Sequence, residues 1–516
     1  MTTESPALPC SEIPSSPPSA SVRRSPAAIV AAVCLAALVL PLSFSGGALA
    51  TPAIGAYFNG SPLALNWITN AFMLTFGSCL MAAGTLADRY GRKRIFICGI
   101  AGFTLLTLLI ALAPGLIALN VLRAVQGLAA AAALAGGSAA LAQEFEGHAR
   151  TRVFSLMGTV FGIGLAFGPL SSGVLIDRFG WRAVFCVPLL FGLASLLLGL
   201  RYLRETVNPQ ASRVDWGGIL SFTAMLALLT TGLLEAPARG WSAPVTLALL
   251  AAALLSLSLF IAIERRIAEP MLDLRLFRFP AFVGVQLLPV ATCFCFVVLL
   301  VLLPIRFIGI EGRSPMAAGV LMIALSAPIL VMPAVAVWLS GRLPAGLISG
   351  VGLLVAGVGL LWLGQVEVGA SAAAILPPML LTGIGAGLPW GLMDGLSVSV
   401  VPREQAGMAS GIFSTIRVAG EGVSLALVSA ALSYLIAASL PPAALHLQTA
   451  SGMAPAAQGL AIGDMSNALS QGWSALQLQQ VYQGAFRSLS EGLALLTIAS
   501  ALAVFWFLRG GTVARS

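Results

Sequence analysis

Charge is scarce in this chain: only 9% of its 516 residues are Asp, Glu, Lys or Arg, against about a quarter in ordinary soluble domains. Lysine occurs once, at Lys93, and outside any Gly-x-x-x-x-Gly-Lys-Ser/Thr context, so the chain carries no Walker-type phosphate cradle. Energy for any work must come from an ion gradient, from the substrate's own gradient or from a separate ATPase subunit. Histidine occurs only at His148 and His446, which leaves little for zinc or haem; neither metal nor cofactor is expected. The cysteines (Cys10, Cys34, Cys79, Cys98, Cys186, Cys293 and Cys295) fall in the N-terminal tail or in apolar stretches. They make no extracellular disulfide framework. Cys293 and Cys295 would lie about 200° apart around a helix, which argues against a joint metal site.

Apolar residues are abundant instead. They make up 58% of the chain, and the mean hydropathy is +0.97. No water-exposed fold buries that much apolar surface, so the sequence reads as an all-α polytopic membrane protein. A spanning helix needs about 20 mostly apolar residues. Stretches near 27–50, 66–87, 95–113, 116–141, 153–175, 183–203, 216–236, 243–263, 281–305, 315–340, 345–364, 374–400, 406–437 and 491–508 qualify. The boundaries between the ninth and tenth spans and near Pro344 are the least defined.

With those spans, Arg and Lys crowd one side. Only Arg178, Arg182, Arg239, Arg306, Arg313 and Arg487 fall on the other, and Arg123 and Arg417 lie within spans. The positive-inside rule then places both termini in the cytoplasm. The net charge of +8 thus reflects topology, and cations scattered over short loops give no nucleic-acid surface. Glu235 and Arg306 fall near the outer face and read as solvated.

Residues 1–26 form a Pro/Ser-rich tail that reads as disordered. Ala48-Leu49-Ala50 imitates a signal-peptide cleavage site, but the preceding apolar run has spanning length and the topology needs it. The loops 204–215 and 265–280 are longer and more charged than their neighbours. They divide the chain into a six-helix bundle (27–203), two linker spans (204–280) and a second six-helix bundle (281–509), with a short tail at 510–516. The external segment 439–489 is Ala/Gln/Ser-rich with weak helical patterning and has no chemical reading. The many Gly and Pro residues in spans fit close helix packing or bending within moving helices.

The most concentrated chemistry is Gly84-Thr-Leu-Ala-Asp-Arg-Tyr-Gly-Arg-Lys-Arg94. Asp88 sits at the inner end of the second span with Arg89 and Arg92 in reach. Such a cluster either anchors topology or latches two bundles in one conformation and frees them in another.

The same loop, with Gly84, Asp88, Arg89, Gly91, Arg92 and Lys93 in place, resembles the hallmark loop of the major facilitator superfamily. Arg123-x-x-Gln126-Gly127 resembles that superfamily's fourth-helix motif. Gly164-x-x-x-Gly168-Pro169-x-x-Ser172-Gly173 resembles the fifth-helix motif of its proton-coupled exporters. Leu65-Asn66-Trp67 and Phe179-Gly180-Trp181-Arg182 also fit. The six-two-six layout is similar to the fourteen-helix drug/proton antiporters of the QacA/EmrB type. This implies a major-facilitator fold of two six-helix bundles plus two inserted helices, and proton-coupled efflux of amphipathic, drug-like compounds by alternating access. It also implies a proton-transfer role for Arg123 and a place in the bacterial inner membrane. Three departures stand out. The first-helix Asp expected some nine residues before Pro52 is Ser43. Ser172 replaces the first of two paired glycines. The second copy of the charged loop is reduced to Gly341-Arg342-Leu343.

With Ser43 at the usual coupling position, coupling falls to other intramembrane charges. An ionised group at mid-bilayer costs roughly 3 kcal/mol or more, so Asp394 and Glu421 are the candidates for binding and releasing protons. Glu421 can instead pair with Arg417, four residues earlier on one helix face. Asp394 has no partner on its own helix and can equally face a cytoplasmic vestibule. Arg123 can be a hydrogen-bond anchor to neighbouring carbonyls. Trp67, Phe72, Trp390 and Met393 are candidate cavity residues, although aromatic and Met side chains in spans usually serve packing. The expected partners are a small-molecule substrate, protons and the lipid bilayer; no residue pattern names a periplasmic adaptor. A narrow exporter of an endogenous metabolite, or a non-transporting sensor or scaffold, would carry the same motifs.

Overall fold

The computed structural model describes residues 25–145, 147–207, 215–267, 270, 272, 274–401, 406–440, 455–470 and 472–508. The tails at 1–24 and 509–516, the loop 208–214 and residues 441–454 lie outside the described residues, and so do the expectations placed on them. Fourteen helices are long and apolar enough to cross a membrane, and there is no strand among the described residues. They are α1 Pro26–Phe58, α2 Pro62–Tyr90, α3 Arg92–Ala111, α4 Leu116–Glu144, α5 Gly147–Phe179, α6 Trp181–Tyr202, α7 Trp216–Arg239 and α8 Pro244–Glu264. There follow α9 Pro280–Ile310, α10 Pro315–Ser340, α11 Ala345–Gln365, α12 Ala372–Ser399, α13 Ala406–Ser439 and α14 Ala475–Phe507.

Local sequence explains most starts. Proline opens α1, α2, α8 and α9 and the first part of α10, where its missing N–H costs nothing and its φ is already helical. Ser61 and Ser314 cap α2 and α10 by accepting from Ala64 N and Ala317 N. Inside α9, Pro289 and Pro304 precede wide π turns at Cys293–Val297 and Ile305–Ile310. Proline removes a donor from the ladder, and a π turn reroutes the carbonyls left behind.

Two expected boundaries move. The first span runs on through Pro41 and Pro52 to Phe58, because in lipid a helix has no alternative to its own hydrogen bonds. The last begins at Ala475, well before 491, where Ser474 and Gln477 form a reciprocal capping box. Part of the segment 439–489 is therefore helix, including short turns at Pro455–Ala461 and Ser466–Ser470.

Packing connects helices α1 to α6 through α1 on α5 and α6, α2 on α4, and α3 on α4 and α6. Among the later helices α11 packs on α12 and α14, α10 on α12, and α9 on α12, α13 and α14. The two groups meet chiefly where α5 touches α10 and α2 touches α13. The α7–α8 pair joins the rest through α7, against α2 and α13. Small residues set the approach. A Cβ on Gly77 of α2 would come within 2.7 Å of Ala419 N on α13, so any side chain there would force the helices apart. The end carrying the α2–α3 loop is called here the near end, and that carrying the α1–α2 turn the far end.

Candidate functional site

A small cavity lies where the two helix groups meet. Leu40, Pro41 and Phe44 of α1, Phe72, Met73 and Phe76 of α2, Phe161 and Leu165 of α5, Val297 of α9 and Trp390 of α12 line it. Its one ionisable lining residue is Glu421 of α13. The π turn in α9 carries Val297 and also Phe296, whose ring meets Trp390 edge-on at 6.0 Å. Of the expected cavity residues, Phe72 and Trp390 line this space. Trp67 packs with Leu233, Leu234 and Ala426 at the α2–α7–α13 contact, and Met393 is fully buried in side-chain packing.

Glu421 is 7% exposed. No hydrogen bond or ion pair reaches its carboxylate among the described residues. Arg417 does not close the same-helix pair that their spacing allows. Its Nη1 instead meets Asp394 Oδ1 on α12 at 3.2 Å. Asp394 therefore has a partner, supplied by the neighbouring helix, while 58% of its side chain is exposed. The Arg417 guanidinium also faces the rings of Phe413 at 5.6 Å and Phe161 at 5.9 Å. A cation so placed stands one helical turn from Glu421, between the cavity and the exposed Asp394.

Arg123 is wholly buried. It donates from Nε to Ile68 O at 2.9 Å, and from Nη1 to Gln126 Oε1 at 2.8 Å and Ser43 Oγ at 3.0 Å. Gln126 Nε2 in turn donates to Thr107 Oγ1 at 2.7 Å. The guanidinium lies 4.7 Å from the centre of the Phe72 ring. Its acceptors are neutral, so Arg123 ties α1, α2, α3 and α4 together without a described acid beside it. Gly127 completes the motif: a Cβ there would collide with Phe72 O and Thr75 Oγ1 of α2.

The charged loop is built around Gly91, whose φ of +114° suits glycine and joins α2 to α3 without a spacer. Asp88 and Arg92 bond across this joint at 2.8 Å. Arg92 Nη1 also donates to Gln143 Oε1 of α4 at 2.6 Å, and Lys93 Nζ to Leu200 O of α6 at 2.9 Å. Arg94 stands 3.5 Å from Glu205. Arg89 is exposed beside Tyr90, and nothing crowds Gly84. The partners of Asp88, Arg92, Lys93 and Arg94 all belong to the first six helices or the strand of chain leaving α6. Among the described residues, the bonds of this cluster stay within the first helix group and the chain leaving it.

In the fifth-helix motif, Gly164 lies against Pro41 and Leu38 O, and Gly168 against Ser45, all on α1. At the far end Gly173 faces Pro315 O of α10, and Pro169 O is 2.9 Å from where a Cβ on Gly319 would stand. Backbone thus meets backbone where α5 and α10 touch.

Two groups expected in solvent, Arg306 and Glu235, are not free there. Arg306, expected in solvent, is 1% exposed. The second π turn folds it inward, where Nε meets Glu311 Oε1 at 2.9 Å and Nη2 donates to Val366 O and Glu367 O. Glu311 also accepts from Arg313, and Arg306 sits 4.8 Å from the Phe486 ring of α14. Glu235, also expected in solvent, is only partly exposed and pairs with Arg239. The sequence signal was available in Arg306, Glu311 and Arg313 together, a charge triplet too compact for an ordinary loop.

The family model described as Major Facilitator Superfamily matches residues 33–425. The chain belongs to this superfamily. It is a multi-pass membrane transporter and not an enzyme. It is 33% identical over 404 residues to the multidrug resistance protein Stp of Mycobacterium tuberculosis, spanning 78% of this chain and 74% of that protein. It is 30% identical over 397 residues to the tetracenomycin C resistance and export protein of Streptomyces glaucescens, spanning 77% and 74%. A crystal structure of a bacterial homologue of the human lysosomal transporter Spinster, in an inward-facing and unoccupied conformation, shares the fold. It superposes with a TM-score of 0.62 at 15% identity, covering 95% of this chain and all of that one.

Proposed function

We propose that this transporter exports amphipathic, drug-like compounds from a bacterial cell across the inner membrane in exchange for protons. The observation that carries the reading is the cavity between the helix groups: apolar and aromatic walls, with Glu421 its one ionisable lining residue. Apolar walls suit drug-like ligands, and few polar groups fix orientation in such pockets. A carboxyl without a fixed partner can bind a proton or a substrate cation in turn, so loading one expels the other. The named export and resistance activities of the relatives agree with this direction.

In this reading α1–α6 and α9–α14 are two bundles that rock about the cavity, with α7–α8 inserted between them. The near end is cytoplasmic, with both termini on that side. Asp394, largely exposed beside Arg417, belongs to a vestibule on that side, while α5 and α10 touch toward the far end. Arg417 relays between Asp394 and Glu421, drawing its charge toward whichever carboxylate is ionised. Arg123 holds the α1–α4 scaffold against which Phe72 is presented. The Asp88–Arg92 clasp fixes the near end of the first bundle as a rigid body.

The test is proton flux in proteoliposomes under an imposed pH gradient, with ethidium as a lipophilic probe. Ethidium-driven proton movement that disappears in Glu421→Gln supports coupling through Glu421. Ethidium transport without proton movement would leave an uncoupled facilitator. A narrower substrate range is the second reading, since one relative is named for a single compound, tetracenomycin C. Competition of ethidium transport by one cellular metabolite, and by no unrelated lipophile, would select it.

A further inference from the structure

We infer that residues 455–464 form a gate over the far-end mouth, with Ile462 as its wedge; that this is the release side rests on the export reading. Three independent contacts seat the segment. The short helix Pro455–Ala461 touches α7, α13 and α14, and its Ala457 and Leu460 are fully buried. Beyond it the chain turns at Gly463, with φ +83°. That turn lies on the backbone of α9: a Cβ on Gly463 would stand 2.9 Å from Gly309 Cα and 3.0 Å from Ile305 O. Between these anchors Ile462 is 4% exposed, in one apolar cluster with Leu49 and Ile54 of α1 and Leu65 and Ile68 of α2.

The segment thus holds the second helix group with one side and reaches the first group with the other. Alternating access requires the far ends of the two groups to part, and they cannot part while Ile462 remains packed against α1 and α2. The surface beneath the segment is rigid. Gly309 belongs to the π turn held by the buried Arg306–Glu311 pair, and Gln479 Nε2 of α14 donates to Ile310 O at 3.1 Å. Opening therefore falls to the Ile462 contact. It buries only one apolar side chain and is the weakest of the three seats.

The experiment uses cells expressing the full chain with its native cysteines replaced by alanine, and a membrane-impermeant maleimide added outside. One reporter is Ile462→Cys on the segment, and the second is Met73→Cys in the cavity. Both should label slowly. Adding Gly463→Val, which is strained at that φ and collides with Gly309, should speed both at least tenfold. Leu460→Gln serves if the valine variant does not accumulate. Fast labelling of Ile462→Cys in the parent would overturn the proposal, because the segment would not be seated. So would a cavity reporter that stays protected once Ile462→Cys has become reactive. Ethidium efflux from the parent tests the export reading separately. Loss of efflux with labelling unchanged would sink that reading and leave the gate standing.

Discussion

Arg123 Nη1 donates to Ser43 Oγ at 3.0 Å, so a hydroxyl on α1 serves a buried cation that has no acid beside it among the described residues. A hydrogen bond to a charged donor contributes about 1.5–3 kcal/mol. Ser43→Ala should destabilise the protein by roughly that amount, read as a lowered Tm in detergent. It should leave the proton dependence of transport unchanged. Ser43→Asp should place a second titratable group beside the cavity wall and alter that dependence. An unchanged pH profile in Ser43→Asp would mean that the α1 position has no access to protons.

Glu421→Gln keeps the shape and removes the charge. Substrate-driven proton flux should fall at least tenfold, with Tm little changed because no ion pair is lost. Retention of full coupling would move the proton carrier to Asp394.

Asp394→Asn should be mild for stability. The Asp394 side chain is 58% exposed, and pairs of that kind contribute about 0–1 kcal/mol. A large drop in Tm would indicate that the pair is buried in another conformation. The transport rate is the sharper readout, since Arg417 would lose one of the two carboxylates it stands between.

Glu311→Gln should be severe. It leaves Arg306, 1% exposed, and Arg313 facing each other without the anion between them. Breaking a buried pair by removing one partner costs about 3–5 kcal/mol. The expected result is loss of folded protein, measured by size-exclusion recovery, and partial rescue by the double change with Arg306→Met.

The existence of the spans was legible because twenty apolar residues in a row have few other homes. The family was legible in Asp88, Gly91 and Arg92 and in Gly164 to Gly173, since a clasp at a tight joint and close helix contacts each demand particular residue types. Which charges meet was not. Arg417 and Glu421 have the spacing of a pair, yet the neighbouring helix offers Asp394, and contacts across helices leave no trace in local spacing. Arg306 was misplaced for another reason. A π turn breaks the 3.6-residue period, so a residue counted as beyond the helix end faces back into it. The helical start at Ser474 was hidden by polar residues that solvate its first turns.

The two wide turns of α9 bear on how this helix tolerates changes in length. Val298 N bonds to Cys293 O and Glu311 N to Arg306 O, each spanning five residues where an α-helix spans four. Each turn therefore absorbs one residue more than a regular helix would at the same place. Deleting Phe294 should convert the first turn to ordinary α-helix and leave Arg306 facing Glu311. Deleting Val301, in the regular stretch between them, should rotate everything beyond by about 100° and turn Arg306 toward lipid. The same one-residue loss would be silent at one site and ruinous two turns away, so α9 carries its spare length only at its bends.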